Sequence, residues 1–205
     1  EQINDLADRP HDCDLLVDTT YGRLPETYQP LAPDAELLLG ADYALQRPAF
    51  AVLRPESLKR REAGAPLRRV LVSFGLSDPG GVTAPAARTL MGLDPDLQVD
   101  VVVKRTSAAW AALEPLSAAD PRLSLYDDPP ELAELMAAAD LAVGAGGVTS
   151  WERCCLGLPT IVSRLAENQR DNVAALTGAG AAFELPDPLD MGAPLTEAFA
   201  QLTDP

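Results

Sequence analysis

The chain has 205 residues, of which 47% are hydrophobic and only 5% aromatic, so its core must be built mainly from Leu, Val and Ala. A formal net charge of −15 repels polyanions, which argues against nucleic acid and anionic membranes as partners. No run approaches the roughly 18 apolar residues of a membrane-spanning helix. A nucleotide remains a possible ligand, because glycine turns bind phosphate through backbone N–H groups.

The first 55 residues predict the end of one folded unit followed by a connector. They begin without Met, as a cut chain would. A short buried strand over residues 13–18 leads into the segment 19–23, and a second brief strand covers residues 36–40. From residue 41 to residue 55 the pattern loses its period and contains two prolines. This predicts a connector that crosses to a second unit, residues 56–205.

The second unit alternates short strands with helices of about ten residues. Strands are predicted at 69–74, 99–103, 123–126, 141–143, 160–163 and 181–183. Helices are predicted at 56–62, 82–91, 107–116, 131–138, 148–157, 168–176 and 195–202. This alternation predicts an α/β fold with a parallel sheet covered on both faces.

Residues 140–157, D-L-A-V-G-A-G-G-V-T-S-W-E-R-C-C-L-G, are the most informative stretch. A short strand is followed by Gly144, Gly146 and Gly147, which let backbone N–H groups approach a ligand because no Cβ stands in the way. The helix that follows favours an anion at its N-terminus. Glu152 lies in its first turn, where a carboxylate reaches a ribose hydroxyl. A plain strand–helix turn would give the same pattern.

Two more loops follow strands of this sheet, and such loops converge on one cleft in doubly wound sheets. The first offers Gly75, Ser77 and Asp78 as ligand contacts, with helix capping as the alternative for Ser77 and Asp78. The second loop and the helix after it offer a group of polar side chains, for which capping is again the alternative. They are Glu167, Asn168, Gln169 and Asn172.

Tyr21 follows the first strand at its carboxyl edge and is a further site candidate. The alternative is a turn tyrosine that packs on a neighbouring helix. His11, the single histidine, precedes that strand and is expected to be incidental. The chain contains no Walker motif and no G-x-S-x-G elbow, and its glycine turn is not a G-x-G-x-x-G fingerprint in the usual place.

The three cysteines, Cys13, Cys154 and Cys155, are odd in number, and two of them are adjacent in a predicted helix. They indicate reduced thiols in a cytoplasmic protein rather than a disulfide framework. No cluster of His, Cys and carboxylates has metal-ligand spacing. We therefore expect no metal and no other cofactor.

Three motifs, V-S-F-G-L-S-D-P, G-A-G-G-V-T-S-W-E-R-C-C-L-G-L-P and A-E-N-Q, together resemble the nucleotide-sugar hydrolase of pseudaminic acid biosynthesis, a pathway of flagellin glycosylation. That family belongs with the MurG-like members of the GT-B architecture. The resemblance covers the D-x-x-Y-G segment, the L-L-G-A-D-Y-A-L-Q-R-P connector and the whole second unit. It implies a cytoplasmic enzyme of two Rossmann-like domains. Residues 1–55 would end the N-terminal domain and carry the connector, and residues 56–205 would form the UDP-binding C-terminal domain.

The resemblance also implies roles for single residues. Gly146, Gly147 and Thr149 would lie at the phosphates, and Glu152 would contact the ribose. Asn168 and Gln169 would face the diphosphate and the sugar, and Tyr21 would reach the sugar from the N-terminal side. We therefore take Tyr21 and Asn168 as catalytic candidates. The remaining candidates are assigned to UDP or substrate binding: Gly75, Ser77, Asp78, Glu167 and Asn172.

Two features depart from the family pattern. The catalytic histidine of its G-x-G-H segment has no match here, so we expect the chain to lack roughly the first half of the N-terminal domain, its natural partner. Leu76 stands where the family commonly has a second glycine, which puts close approach of Gly75 to a phosphate in doubt.

The implied reaction is attack of a base-activated water on C1 of a UDP-sugar, with loss of UDP and inversion. The sugar would be a 2,4-diacetamido-2,4,6-trideoxy hexose. The alternatives are a GT-B glycosyltransferase, in which an acceptor hydroxyl replaces water, a non-catalytic nucleotide-sugar-binding module, and a generic α/β domain without a nucleotide site.

Overall fold

The computed structural model describes residues 2–3, 7–64 and 66–203. Its first unit is a parallel sheet of three strands in the order β1-β2-β3. The strands are β1 (Gln2–Ile3), β2 (Leu15–Asp18) and β3 (Glu36–Leu39). Short 3-10 helices follow at Pro25–Thr27 and Ala41–Tyr43. Leu16, Tyr28 and Ala32 form the small core of this unit.

The second unit contains a parallel sheet of six strands in the order β6-β5-β4-β7-β8-β9. Its strands are β4 (Arg69–Ser73), β5 (Gln98–Val102), β6 (Leu123–Tyr126), β7 (Leu141–Ala145), β8 (Thr160–Ser163) and β9 (Phe183–Glu184). Its helices are α1 (Pro48–Glu62), α2 (Thr83–Leu93), α3 (Ala108–Ala119), α4 (Leu132–Ala138), α5 (Thr149–Cys155), α6 (Arg170–Gly178) and α7 (Ala193–Thr203). The predicted parallel α/β architecture is confirmed.

The strand order places a topological switch point between β4 and β7. The chain runs outward from β4 to β6 and then returns to β7, on the other side of β4. In open parallel sheets ligands bind at the carboxyl ends of the strands beside such a point. The turn after β7 therefore stands where the fold favours a ligand.

Helices cover both faces of this sheet because successive strand residues point to opposite sides. Val70 and Val72 of β4 join a core with residues of α2, α3 and α7. Leu71, between them, joins a second core that contains Phe50 of α1 and Met136 of α4. The core is mainly aliphatic, as the composition predicts.

The predicted connector over residues 41–55 is wrong in its second half, because α1 begins at Pro48. Proline is favoured in the first helical turn, where its fixed φ suits the helix and its missing N–H has no partner to lose. Pro55 is tolerated inside α1, which packs on the second unit through buried contacts. The hydroxyl of Ser57 donates to the carbonyl of Leu156 at 2.7 Å, and Arg61 donates to the same carbonyl at 2.9 Å. The helix thus runs across residue 55, and the division of the chain into two domains there stays a prediction.

The strands predicted at 123–126 and 160–163 match β6 and β8, and the other predicted elements differ from the structure by one to three residues at their ends. The helix predicted from residue 168 begins as a 3-10 turn over Glu167–Gln169 and continues as α6. The helix predicted to span 148–157 is shorter, since α5 has only seven residues. A helix this short has a weak macrodipole, so its N-terminus stabilises a bound anion less than the prediction implied.

Helix α6 packs directly against the turn after β7. A Cβ on Gly146 would overlap a methyl group of Val173. The side-chain amide of Asn172 donates from Nδ2 to the carbonyl of Gly146 at 2.8 Å. The glycine at position 146 is therefore required for the close approach of α6 to β7.

We expect Gly146→Ala to lower the free energy of unfolding by about 1–3 kcal/mol, because the added methyl overpacks a filled space. Val173→Ala removes the methyl group that it would strike. The double variant should therefore lose less stability than the sum of the two single variants, as measured by urea denaturation. Simple additivity would contradict the contact.

Candidate functional site

A cleft of about 170 Å³ lies between the two units at the carboxyl ends of their strands. One wall comes from the first unit, where Asp18, Thr19 and Thr20 follow β2. The opposite wall combines the turn after β7, the start of α5 and the loop before α6. Its lining residues are Gly146, Gly147, Val148, Trp151, Asn168, Gln169 and Asn172. The structure thus brings five of the predicted site residues together.

Gly147 is the glycine of the turn that opens onto the cleft. Gly144 and Gly146 are crowded, since a Cβ on either would overlap neighbouring atoms. At Gly147 the nearest atom to such a Cβ is the side-chain Nε2 of Gln169, at 3.9 Å. A ligand can therefore approach the backbone of Gly147 closely.

Gln169 and Asn172 are held in fixed orientations beside this turn. The Oε1 atom of Gln169 accepts a hydrogen bond from the backbone N–H of Leu165 at 3.0 Å, which leaves its NH2 group toward Gly147. Asn172 uses Nδ2 on the carbonyl of Gly146, and its Oδ1 is buried without a hydrogen-bond partner among the described residues. The wall of the cleft therefore has a side-chain donor on Gln169, and a buried acceptor on Asn172 lies beside it.

Asn168 is exposed at the rim of the cleft and does not cap a helix. The N-cap positions of the 3-10 turn and of α6 are Ala166 and Gln169, and neither helix start has a side-chain cap. The capping alternative for Asn168 is therefore wrong. Glu167 faces solvent, where it pairs with Arg170 at 2.6 Å.

The loop after β4 is not part of the cleft lining. Oδ1 of Asp78 accepts hydrogen bonds from the backbone N–H groups of Val82 and Thr83, both at 3.2 Å, and from the Thr83 hydroxyl at 2.8 Å. The structure thus favours the capping alternative for Asp78. Ser77 and Gly75 are exposed in the same loop, and their predicted contacts with a ligand stay predictions.

Leu76 causes no strain in this turn. The left-handed conformations are at Gly75, with φ of 95°, and at Asp78, with φ of 47°. Asp tolerates that region better than most residues because its side chain bonds locally. The side chain of Leu76 packs against the core that contains Leu71. Leu76 therefore adds no left-handed strain to the turn, and the approach of Gly75 to a phosphate stays a prediction.

Glu152 is engaged by the connector rather than by the cleft. Its Oε1 accepts hydrogen bonds from Nε and Nη2 of Arg47 at 3.2 and 3.1 Å. The Arg47 guanidinium also lies over the ring of Phe50, 5.1 Å from its centroid. Thr149 is half-buried on the same helix and does not line the cleft. The ribose contact of Glu152 and the phosphate contact of Thr149 stay predictions.

Asp18 organises the wall that the first unit contributes. This buried carboxylate accepts a hydrogen bond from the backbone N–H of Thr20 at 2.9 Å. Its other oxygen accepts from Arg23 at 2.6 Å and from the Tyr28 hydroxyl at 2.8 Å. Burial lowers the pKa of Arg23, but the hydrogen bond and charge of Asp18 outweigh it, so that the pKa is raised overall. Arg23 reaches Asp171 of α6 at 3.6 Å, which links the two walls.

Two further cavities continue the cleft along this seam. One of about 410 Å³ is shared by Asp8, Arg23, Glu167, Arg170 and other residues around Thr20. The other, of about 350 Å³, contains Tyr21 beside Gly22 and Ala174. Tyr21 is 53% exposed, and its predicted contact with the sugar stays a prediction.

Sequence reasoning missed several cleft residues: Asp18, Thr19, Thr20, Val148 and Trp151. The signal for Asp18 was present, because an acidic residue at the carboxyl end of a buried strand is typical of a site. Trp151 gave no distinct signal, since an aromatic residue in a helix is ordinary core material.

Among the described residues, no group of three or more His, Cys, Asp or Glu could hold a metal ion. None of the described helices combines the length and the apolar character that a membrane crossing requires.

Comparisons with known proteins agree with this architecture. No model of a protein family matches the sequence. The spore coat polysaccharide biosynthesis protein SpsG of Bacillus subtilis is 28% identical over 151 residues, which are 71% of this chain and 42% of SpsG. The chain thus spans less than half the length of that relative.

Solved structures show the same fold. MurG of Acinetobacter baumannii superposes with a TM-score of 0.61 at 18% identity, over 94% of this chain and 52% of MurG. UGT71G1 of Medicago truncatula, solved with UDP-glucose, gives 0.58 at 12% identity, over 94% of this chain and 46% of that protein. The chain has the Rossmann-like α/β fold of MurG-like GT-B glycosyltransferases.

We expect Asp18→Asn to lower the free energy of unfolding by about 3 kcal/mol, because it removes the buried charge that Arg23 and Tyr28 share. The matched control is Asp171→Asn, which removes the exposed partner of Arg23 and an exposed pair with Arg170. That variant should cost less than about 1 kcal/mol. Urea denaturation measures both, and equal costs would contradict the role of Asp18.

Proposed function

We propose that this chain is the nucleotide-binding part of a GT-B enzyme that acts on a UDP-linked sugar. The observation that carries the proposal is the cleft itself. It joins an open glycine turn, a free side-chain amide donor and a buried amide acceptor at the switch point of a Rossmann-like sheet. Ligand binding at that point is the general rule for such sheets.

The diphosphate would lie at the backbone of Gly146 and Gly147, with Gln169 as a side-chain donor. Backbone and amide donors stabilise the charge that develops on a departing diphosphate, because they are already oriented before the reaction. Asn172 would hold the turn and accept a hydrogen bond from the ligand or its water. Glu152 would contact the ribose through Oε2, because both hydrogen bonds from Arg47 go to Oε1.

We further propose that the reaction is hydrolysis with inversion at C1, of a UDP-linked 2,4-diacetamido-2,4,6-trideoxy hexose, as the resemblance to the pseudaminic acid hydrolase implies. Tyr21 and Asn168 would face the sugar from opposite walls. Asp18 already accepts three hydrogen bonds, which makes it a poor general base. The base is therefore proposed to come from a part of the N-terminal domain outside this chain, and a cytoplasmic location goes with this pathway.

Glycosyl transfer is the second candidate, favoured by the likeness to MurG and UGT71G1. The groups that hold UDP would be the same, and only the nucleophile would differ. UDP release from the complete protein that requires an added acceptor would favour transfer, and release into water alone would favour hydrolysis. UDP binding without any turnover would favour a non-catalytic nucleotide-sugar module.

We expect the chain to bind UDP equally well in EDTA and in Mg²⁺, and Gly147→Ala to weaken binding at least ~10-fold, since a methyl group would block close approach to the backbone. Isothermal titration calorimetry measures both. The variant should keep its thermal stability, because the space around Gly147 is open. Gly92→Ala, in the exposed last turn of α2, is the matched control and should bind UDP as the parent does.

No UDP binding by the folded chain, or equal binding by Gly147→Ala, would contradict the proposed site. Loss of binding in Gly92→Ala as well would show that the effect of alanine is not local.

The chain alone should release little or no UDP from a UDP-sugar, because general acid–base catalysis typically contributes ~10²–10⁴-fold and no suitable base is present among the described residues that line the cleft. A coupled assay for free UDP measures this. Turnover by the chain at an ordinary enzymatic rate would contradict the proposal that the general base comes from outside this chain.

A further inference from the structure

Arg153 of α5 is a buried cation directly behind the glycine turn. It is only 2% exposed. Among the residues that the structure describes, it forms no ion pair, and its Nε has no hydrogen-bond partner. Burying a charge without a counter-charge is costly, and proteins seldom do so without a reason.

The guanidinium ties together the two ends of the turn. Its Nη2 donates to the carbonyl of Ala145 at 2.6 Å and to the hydroxyl of Ser150 at 2.9 Å. Ala145 ends β7 and Ser150 lies in the first turn of α5, so both bonds flank the segment 146–149. Its Nη1 lies 2.5 Å from the position that a Cβ on Gly144 would take. The glycine at 144 is therefore what admits this side chain.

The positive charge is uncompensated in the free protein. Burial lowers the pKa of Arg153 to about 10, which still leaves it protonated at neutral pH. The ionisable groups that act on it are Glu152 and Cys154 of the same helix. Glu152 is already paired with Arg47, and burial raises the pKa of the Cys154 thiol, which stays neutral. The residues from other elements that share its small cavity, Thr160, Val162 and Leu176, are uncharged.

We propose that Arg153 is a positioning residue whose fixed charge makes the turn at Gly146 and Gly147 selective for a diphosphate. It acts through the turn by orienting the backbone N–H groups. It also acts through space, because its positive charge attracts the anion, which then serves as its counter-charge. This inference rests on the proposed function only in placing an anion at that turn.

The competing account is that Arg153 is a structural clamp. Arg61 provides the comparison, because it also donates to backbone carbonyls, of Leu156 and Ala139, both at 2.9 Å. Its pKa is likewise lowered by burial. Arg61 lies at the amino ends of the strands, on the side of the sheet away from the cleft, beside Pro159 and Asp140. The two arginines thus allow the same substitution to be made near and far from the cleft.

The test uses inorganic pyrophosphate and UDP as separate probes, titrated calorimetrically into the chain at several salt concentrations. We expect Arg153→Met to weaken both probes ~30-fold or more and to flatten the salt dependence, because hydrogen bonds and attraction to a desolvated cation are lost together. Arg61→Met should lower the melting temperature but change pyrophosphate affinity less than ~3-fold. Equal weakening by both variants would overturn the proposal.

Arg153→Lys keeps the test decisive if Arg153→Met does not fold. A buried lysine without a partner has a lowered pKa. Its pyrophosphate affinity, taken as a ratio to the parent at the same pH, should therefore fall as the pH is raised from 6 to 9. A constant ratio would overturn the proposal.

The two probes separate this inference from the proposed function. Pyrophosphate binding that depends on Arg153, without UDP binding, would sustain the anion site and overturn the nucleotide assignment. A parent chain that binds no pyrophosphate would overturn the inference about Arg153 even if UDP binds.

Discussion

The carboxyl end of β7 can be formed only without side chains at Gly144 and Gly146. At Gly144 a Cβ would overlap the carbonyl oxygen of Ser73 on the neighbouring strand and the guanidinium of Arg153. At Gly146 it would overlap Val173 of α6. Because both positions lack a side chain, α5 and α6 can both pack against the end of β7. The open backbone of Gly147 and the amides of Gln169 and Asn172 are brought to one place as a result.

The two walls of the cleft are held by interactions of unequal strength. Helix α1 is fixed to the rest of the second unit by a buried hydrogen bond from Ser57 and a part-buried one from Arg61. Two ion pairs join the first unit and the connector to the second unit, Arg23–Asp171 and Arg47–Glu152. Each pair has one half-exposed partner. Such pairs contribute little free energy. A ligand can therefore displace them at small cost, whereas α1 and the glycine turn stay in place.

Much of the fold was predictable from the sequence because parallel α/β proteins give strong local signals. Apolar strands of four or five residues alternated with helices of regular period, and each strand of the second unit was placed within two residues. The start of α1 was missed because Pro48 and Pro55 both read as breakers. Only the tertiary contacts of Ser57 and Arg61 show why a helix tolerates them.

The site was predictable in part, and for a physical reason. Glycines and side-chain amides that follow strands are easy to recognise in a sequence. Gly147, Gln169 and Asn172, which line the cleft, were therefore among the predicted site residues. The sequence does not reveal which glycine is open to the cleft and which faces a side chain, because that depends on how closely α6 packs at Val173. Nor does the sequence show that Arg153 is buried with no ion pair among the described residues, since an arginine in a short helix is usually at the surface. Asp78 illustrates the opposite case, because this polar loop residue accepts backbone hydrogen bonds from Val82 and Thr83 at the start of α2, which favours the capping alternative.

The most direct test of the account is nuclear magnetic resonance of the isotope-labelled chain during titration with UDP. We expect the largest shifts at the backbone amides of Gly146 and Gly147 and at the side-chain amides of Gln169 and Asn172, with the loop 75–81 little changed. Shifts centred on the loop 75–81, or spread over the sheet without reaching Gly147, would contradict the assignment of the nucleotide to the turn after β7.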